Sequence, residues 1–247
     1  MKKIFNVSVV LPTYNERENI QELIQRIEKS LGDRLLEIIV VDDDSPDLTW
    51  EIVKKYPKKS VKLIHRLKKK GLSSAILDGI KTAKGSMIVW MDCDLSMPPE
   101  IIPDLILELN SNDICIASRY AKGGKDIRSF PRVFMSMLIN KFAILMLGKT
   151  ITDYTSGFVA VKKHVFNNIT WNTTGYGEYF IEFANACIVN NYRVIEFGYT
   201  FQDRCQGESK STGNLVTFIK YGFKYLLTII KLWHKNQFMK HKGKGDL

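Results

Sequence analysis

Two carboxylates one residue apart, Asp92 and Asp94 around Cys93, close the apolar run Met87-Ile88-Val89-Trp90-Met91. Such a run reads as a buried β-strand. Carboxylates exposed at its end repel each other and contribute nothing to a core. They suit a hard divalent cation, because Mg²⁺ takes oxygen ligands and commonly combines one or two carboxylates with substrate phosphates. For an Asp-x-Asp triplet taken alone, a solvated strand-to-loop turn is the competing reading, so the surroundings must decide. The cysteines, Cys93, Cys115, Cys187 and Cys205, fit no metal-ligand spacing, and His65, His164, His234 and His241 fall in no motif.

The elements around the triplet give it a context. Apolar strands are expected at residues 7–11, 37–41, 61–65, 85–91 and 113–117, with helices at 16–31, 50–56, 73–83 and 98–109 between them. Strands alternating with helices imply βαβ units and a mostly parallel sheet, where ligands bind beyond the carboxyl ends of the strands. Those ends carry Pro12-Thr13-Tyr14-Asn15-Glu16, Asp42-Asp43-Asp44, Asp92-Cys93-Asp94 and Ser118-Arg119-Tyr120. Acids that hold a metal, beside an arginine that meets phosphate, describe a nucleoside-diphosphate site. The alternation breaks over 121–155. That stretch opens with Lys122-Gly123-Gly124-Lys125, expected to be a flexible basic loop, and becomes mostly apolar over 132–148. A strand at 156–162, a helix at 178–189, an extended stretch at 193–201, a mobile polar segment at 207–213 and a last helix from 215 complete the chain.

A chain of 247 residues, 45% hydrophobic and 25% charged, is ample for one large α/β domain. Met1-Lys2-Lys3 leads into a strand with no apolar leader behind it, and scattered cysteines fit free thiols in a reducing compartment.

Seven pieces in order now resemble the family 2 glycosyltransferases of GT-A fold, and within them the dolichyl-phosphate mannose synthases and their polyprenyl-phosphate relatives. They are residues 7–19 (Val-Ser-Val-Val-Leu-Pro-Thr-Tyr-Asn-Glu-Arg-Glu-Asn), 40–47 (Val-Val-Asp-Asp-Asp-Ser-Pro-Asp), Lys70-Gly71-Leu72-Ser73-Ser74-Ala75, 91–100 around the acid pair, Ser118-Arg119-Tyr120, Thr155-Ser156-Gly157-Phe158 and Arg204-Cys205-Gln206-Gly207-Glu208-Ser209-Lys210. The family usually has Ala where Cys93 stands and often His or Gln near Met97. Cys93 would contribute chiefly backbone. The resemblance implies an α/β, Rossmann-like GT-A domain over 1–213, with 121–155 an acceptor-side insertion. It implies a nucleoside held by Pro12, Tyr14, Glu16, Val41 and Asp43. Mg²⁺ or Mn²⁺ would be bound by Asp92, Asp94 and the Ser96 hydroxyl. Arg119, Arg204 and Lys210 would meet the phosphates, the last two as a lid, and Arg132 and Ser136 the acceptor phosphate. The implied reaction is inverting transfer of a sugar to dolichyl or polyprenyl phosphate. GDP-mannose is the favoured donor, ahead of UDP-glucose or UDP-N-acetylglucosamine. A phosphate monoester has a second pKa of about 6, so the nucleophile is already anionic near pH 7 and needs no general base.

Charge and apolar patterning name the partner surface. The net charge is +10, and residues 209–247 hold eight lysines against one aspartate. On a helix, Lys220, Lys224, Lys231 and Lys235 share one face with Thr217 and Thr228, while Phe218, Ile219, Phe223, Leu226, Leu227, Ile229, Ile230, Leu232 and Trp233 cover the rest. Four lysines argue against a simple spanning helix. An interfacial helix over 214–247, apolar side in lipid and lysines at anionic head groups, fits better. A core-packed helix with a solvated lysine face is the alternative. Residues 132–148 are a second interfacial candidate, or else a buried domain helix. Nucleic-acid binding is excluded by so wide an aliphatic face. The expectation is a peripheral enzyme at the cytoplasmic face of a membrane, with small membrane-protein subunits as further partners. An idle nucleotide-sugar-binding subunit would have lost a metal acid or a phosphate cation, and a soluble transferase acting on glycans would not need the apolar run after Arg132.

Overall fold

The computed structural model describes residues 6–68, 70–171, 177–204 and 215–242, with backbone only at 215–221 and 240–242. Its centre is a seven-stranded sheet in the order β3-β2-β1-β4-β7-β5-β8. The strands are β1 (Val7–Thr13), β2 (Leu35–Asp42), β3 (Val61–His65), β4 (Met87–Trp90), β5 (Ile114–Ser118), β7 (Val159–Lys162) and β8 (Val194–Gly198). All neighbours run parallel except β7, which is antiparallel to both β4 and β5. A two-stranded parallel ribbon, β6 (Lys125–Asp126) with β9 (Thr200–Phe201), stands apart.

The near-continuous apolar strands follow from burial on both faces. Val7, Val9 and Leu11 point into one cluster with α1 (Ile20–Leu31) and α4 (Ile102–Glu108). Val10 points into the other, with α3 (Leu72–Thr82), α5 (Phe130–Leu147), α6 (Glu178–Val189) and α7 (Leu215–Lys242). The short α2 (Thr49–Lys54) packs beside α1 and β3. α3 lies so close to β1 that any side chain at Gly79 would strike Val10 at 2.4 Å.

The loop after β5 differs from its expectation. Lys122-Gly123-Gly124 is a tight packed turn, closed by Gly124 N–H donating to the Ala121 carbonyl at 2.8 Å. Gly123 has φ +85°, and a methyl at Gly124 would lie 2.5 Å from the Ser118 carbonyl. A left-handed φ at Gly123 and close backbone approach at Gly124 account for these glycines, and the turn launches β6 beside the end of β5.

α5 is not a buried domain helix. Only Ile139, Asn140 and Ala143 of its 18 residues are buried. Ile127 before it (59% exposed), then Phe130 (78%), Phe134, Leu138 and Leu145 (79%) are open, and the Phe130 and Phe134 rings stack at 5.9 Å. It is the one helix among the described residues long and apolar enough to cross a membrane, with mean hydropathy 1.5, although 18 residues fall short of a typical span of about 20. α7 divides its apolar residues. Ile229 is buried, with Tyr225 and Leu232 packed against the same cluster, whereas Phe223, Leu226, Leu227 and Ile230 face outward. α7 packs on both α5 and α6.

Candidate functional site

The ends of β1, β2, β4 and β5 meet in one crevice, and its two ends differ in chemistry. One end is a largely apolar cavity of about 240 Å³ lined by Pro12, Thr13, Tyr14, Asp43, Lys70, Gly71, Leu72 and Ala75. Tyr14 presents a ring face with Lys70 Nζ 5.7 Å from its centroid, a platform that suits a planar base. The three aspartates after β2 do three different jobs. Asp42 is fully buried and accepts from Thr13 Oγ1 at 2.9 Å and Ser45 N at 2.8 Å, which fixes the loop. Asp43 takes Gly71 N–H at 2.6 Å on one oxygen and the Arg66 Nε at 2.6 Å on the other. Asp44 turns away at φ +56° to His65, whose ring stacks on Trp50. Asp43 therefore shapes the cavity wall with both oxygens already engaged. Val41 is fully buried in the core behind the wall and does not line the cavity. Any contact from it to a nucleoside would have to come from its backbone.

The other end is a polar cavity of about 190 Å³, lined by Asp92, Asp94, Ser96 and Met97, by Arg119, Arg128 and Arg132, and by the stretch Phe201 to Arg204. The acid pair points into it. Cys93 turns the opposite way, its Sγ 3.4 Å from the Pro12 carbonyl and 3% exposed, as a residue contributing only backbone should. Ser96 gives both its N–H, at 3.1 Å, and its hydroxyl to Asp94 Oδ1. It orients that carboxylate, and its oxygen keeps its lone pairs at the cavity. Arg204 Nη2 lies 3.1 Å from Asp94 Oδ2 and 3.3 Å from Glu16 Oε1. Burial works against that guanidinium, but the two carboxylates outweigh it and raise its pKa. A cationic group resting on Asp94 and Glu16 marks a place that demands positive charge. Hard carboxylate oxygens fit Mg²⁺ or Mn²⁺. Among the described residues no three His, Cys, Asp or Glu side chains form a cage.

The arginines are committed to different degrees. Arg119 is 6% exposed. Its Nε and Nη2 both donate to Asp153, at 2.8 and 2.7 Å, and Nη2 also reaches Thr155 at 2.7 Å. Burial opposes its charge, yet Asp153 holds its pKa high. It is a fixed wall of the cavity more than a free phosphate partner. Arg132, on the first turn of α5, pairs with Asp203 at 2.6 Å. Such a partly exposed pair is worth about 1 kcal/mol or less. Ser136 lies one turn further on, half-buried and outside the cavity lining. Lys210, with Cys205 and the rest of the 205–214 segment, lies outside the described residues.

Several contributors escaped the sequence reading. Arg66 follows β3 and matches no motif, yet it anchors Asp43. Arg128, Phe201, Gln202 and Asp203 enter because the β6–β9 ribbon sets the ends of two distant segments side by side. The Asp126-x-Arg128 spacing is the one local signal available, and it joins the ion pair at 2.7 Å.

Comparisons with known proteins agree with this geometry. A model of the glycosyl transferase family 2 matches residues 8–170. The chain is 44% identical over 253 residues to a dolichol-phosphate mannosyltransferase of Pyrococcus furiosus, an alignment covering 97% of this chain. It spans 65% of that relative's length, just under two thirds. A polyprenol monophosphomannose synthase of Mycolicibacterium smegmatis is 34% identical, with 83% of this chain and 81% of the relative covered. Among solved structures, glucosyl-3-phosphoglycerate synthase of Mycobacterium tuberculosis, in complex with Mn²⁺, UDP and phosphoglyceric acid, superposes with TM-score 0.70 at 16% identity, over 93% of this chain and 78% of that one. That likeness establishes the GT-A-like fold. With the strand ends, the acid pair and the family match in agreement, the chain belongs to glycosyl transferase family 2.

Proposed function

We propose that this protein transfers a sugar from a nucleoside diphosphate to a polyprenyl monophosphate of the dolichyl type, with inversion and with a divalent cation, and that the donor is GDP-mannose. One observation carries the reading. The acid pair shares its cavity with several arginines, and that cavity opens beside the exposed apolar stripe Ile127, Phe130, Phe134 and Leu138. A lipid phosphate needs this juxtaposition, because its head must enter a charged site while its tail stays in lipid. Names of relatives support the acceptor class, since two of them are named for dolichol phosphate and polyprenol monophosphate.

The chemistry follows from the two ends of the crevice. The base lies against Tyr14 and the cavity wall held by Asp43, which sets the diphosphate near Asp92 and Asp94. A Mg²⁺ or Mn²⁺ ion held by these two acids would supply Lewis-acid stabilisation of the leaving diphosphate. Arg204 exchanges its contact with Asp94 and Glu16 for the diphosphate, and Lys210 joins it from the same segment. An acceptor phosphate oxygen attacks the anomeric carbon from the side opposite the diphosphate. The carbon–oxygen bond to the diphosphate breaks, with its electron pair leaving on the nucleotide. No proton need be removed, because the phosphate monoester is already ionised near pH 7. The exposed faces of α5 and α7 hold the protein on the cytoplasmic face of the membrane, where small membrane subunits can join it.

The test offers GDP-mannose, UDP-glucose and UDP-N-acetylglucosamine with dolichyl phosphate in vesicles, with Mg²⁺ or Mn²⁺, and measures lipid-linked sugar. Product from GDP-mannose alone is expected. Product only from a UDP-sugar would overturn the donor, and transfer only to a soluble glycan would overturn the acceptor.

A further inference from the structure

We infer that Arg128 is the preset cation that receives the phosphate of the acceptor lipid. This rests on the lipid-phosphate reading above and adds to it a residue that no motif marked. Four arginines line the polar cavity, and three are engaged elsewhere. Arg119 is spent on Asp153 and Thr155. Arg204 sits at the acid end on Asp94 and Glu16. Arg132 is tied to Asp203 and must swing to serve.

Arg128 differs from all three. Its Nε and Nη2 form a two-pronged contact with Asp126, at 2.9 and 2.7 Å. Its guanidinium lies over the Phe201 ring, 4.7 Å from the centroid. The Asp126 side chain is 2% exposed and stands between Arg128 and Arg119, 3.7 Å from the latter. A guanidinium has five N–H donors in a rigid plane. Two of Arg128's are used on Asp126, and Nη1 has no partner among the described residues. The outer edge is thus held in one orientation and open to the cavity it lines. A phosphate can be received on such an edge by two parallel hydrogen bonds.

Its neighbours give the direction of approach. Ile127 and Phe130 are 59% and 78% exposed on either side, while the Arg128 side chain is only 18% exposed. The chain therefore aims apolar side chains outward and a guanidinium inward within four residues, at the entry to α5. A prenyl chain lying along Ile127, Phe130 and Phe134 brings its phosphate to Arg128. Arg128, Arg119, Asp126 and Asp153 are formally balanced in charge. What Arg128 adds is a fixed donor edge, and surplus positive charge arrives when Arg132 leaves Asp203.

The experiment measures binding of a short-chain prenyl phosphate to the full chain by calorimetry, without donor, alongside the corresponding prenyl alcohol. Michaelis constants for acceptor and donor are measured in parallel. Wild type should prefer the phosphate over the alcohol. Arg128→Gln should weaken phosphate binding and raise the acceptor constant about tenfold, with the donor constant of the folded variant unchanged, although it melts lower because buried Asp126 loses its partner. Arg128→Lys, which keeps the charge and loses the fork, should fall between. Asp126→Asn leaves Arg128 in place but loosens it, and should raise the acceptor constant severalfold, which makes Asp126 a positioning residue. Unchanged phosphate affinity in Arg128→Gln, equal rises in both constants, or no phosphate preference in wild type would each overturn the assignment. Phosphate binding that is lost in Arg128→Gln, with no transfer by wild type, would instead sink the proposed reaction and leave this site standing.

Discussion

The proposed nucleotide end and the proposed lipid end of the crevice are built from different materials. The nucleotide end hangs on parallel strands whose apolar residues are buried on both faces, and its loops are pinned by Asp42, Asp43 and Arg66. The lipid end hangs on α5, the two-residue strands β6 and β9, and an ion pair between Arg132 and Asp203. It also leaves large apolar side chains in the open. A soluble surface rarely carries so much contiguous apolar area without a partner. Rigid strand ends serve a reaction in which the donor must be held in one pose. On the proposed reading, a bilayer would cover the apolar side chains of the lipid end.

The largest test falls where the two ends join. Asp94→Ala should lower transfer about 10³-fold, the loss of several kcal/mol of charge stabilisation. The variant should fold, because Asp94 contributes to no core cluster and its partners Ser96 and Arg204 sit at the cavity. Transfer rate together with circular dichroism would check this, and near-normal transfer would break the division of labour. Arg204→Gln should follow with a loss of about 10²-fold, comparable to removing one preorganised charge-stabilising donor. Its second readout has the opposite sign. With the competing guanidinium gone from Asp94 and Glu16, Mn²⁺ binding without nucleotide, followed by electron paramagnetic resonance, should tighten severalfold. Weaker Mn²⁺ binding would mean that Arg204 helps hold the ion and does not stand in its place.

The lipid end should answer to a different measurement. Phe130→Ser with Phe223→Ser removes two of the most exposed rings, at 78% and 61%. Burying a Phe fully is worth about 1.5–3 kcal/mol, and partial insertion of both gives a loss of about thirtyfold in vesicle partitioning. Nucleotide binding should not change. Unaltered sedimentation with vesicles would return these helices to an ordinary protein–protein role.

Legibility in the sequence follows the same divide. β3 and α6 have the bounds the apolar runs predict. The acid pair was legible because Asp92 and Asp94 are local. Ser96 stands beside the pair as expected, and its hydroxyl donates to Asp94, a contact that spacing alone does not reveal. Arg119 was found by its motif, yet its true partner, Asp153, is 34 residues away. Arg128 stayed hidden because β6 and β9 are two residues each, too short to leave a pattern. α7 turns Ile229 inward and Phe223 outward, since one helix can bury a stripe and still expose another.

The smallest effect should appear at the base platform and separates the two ends most cleanly. Tyr14 is 37% exposed and lines the apolar cavity, so its removal leaves no cavity in the core. Stacking on an aromatic ring is worth about 1–3 kcal/mol per base in nucleic-acid sites, and Lys70 over the same ring offers part of that contact from its own side. Tyr14→Ala should therefore raise the donor Michaelis constant about fivefold while the acceptor constant and vesicle binding stay at wild-type values. Steady-state kinetics with each substrate varied in turn would read this. A rise in the acceptor constant instead would show that the two ends of the crevice are coupled through the loops that join them, and that the strand-built end is not as fixed as its hydrogen bonds suggest.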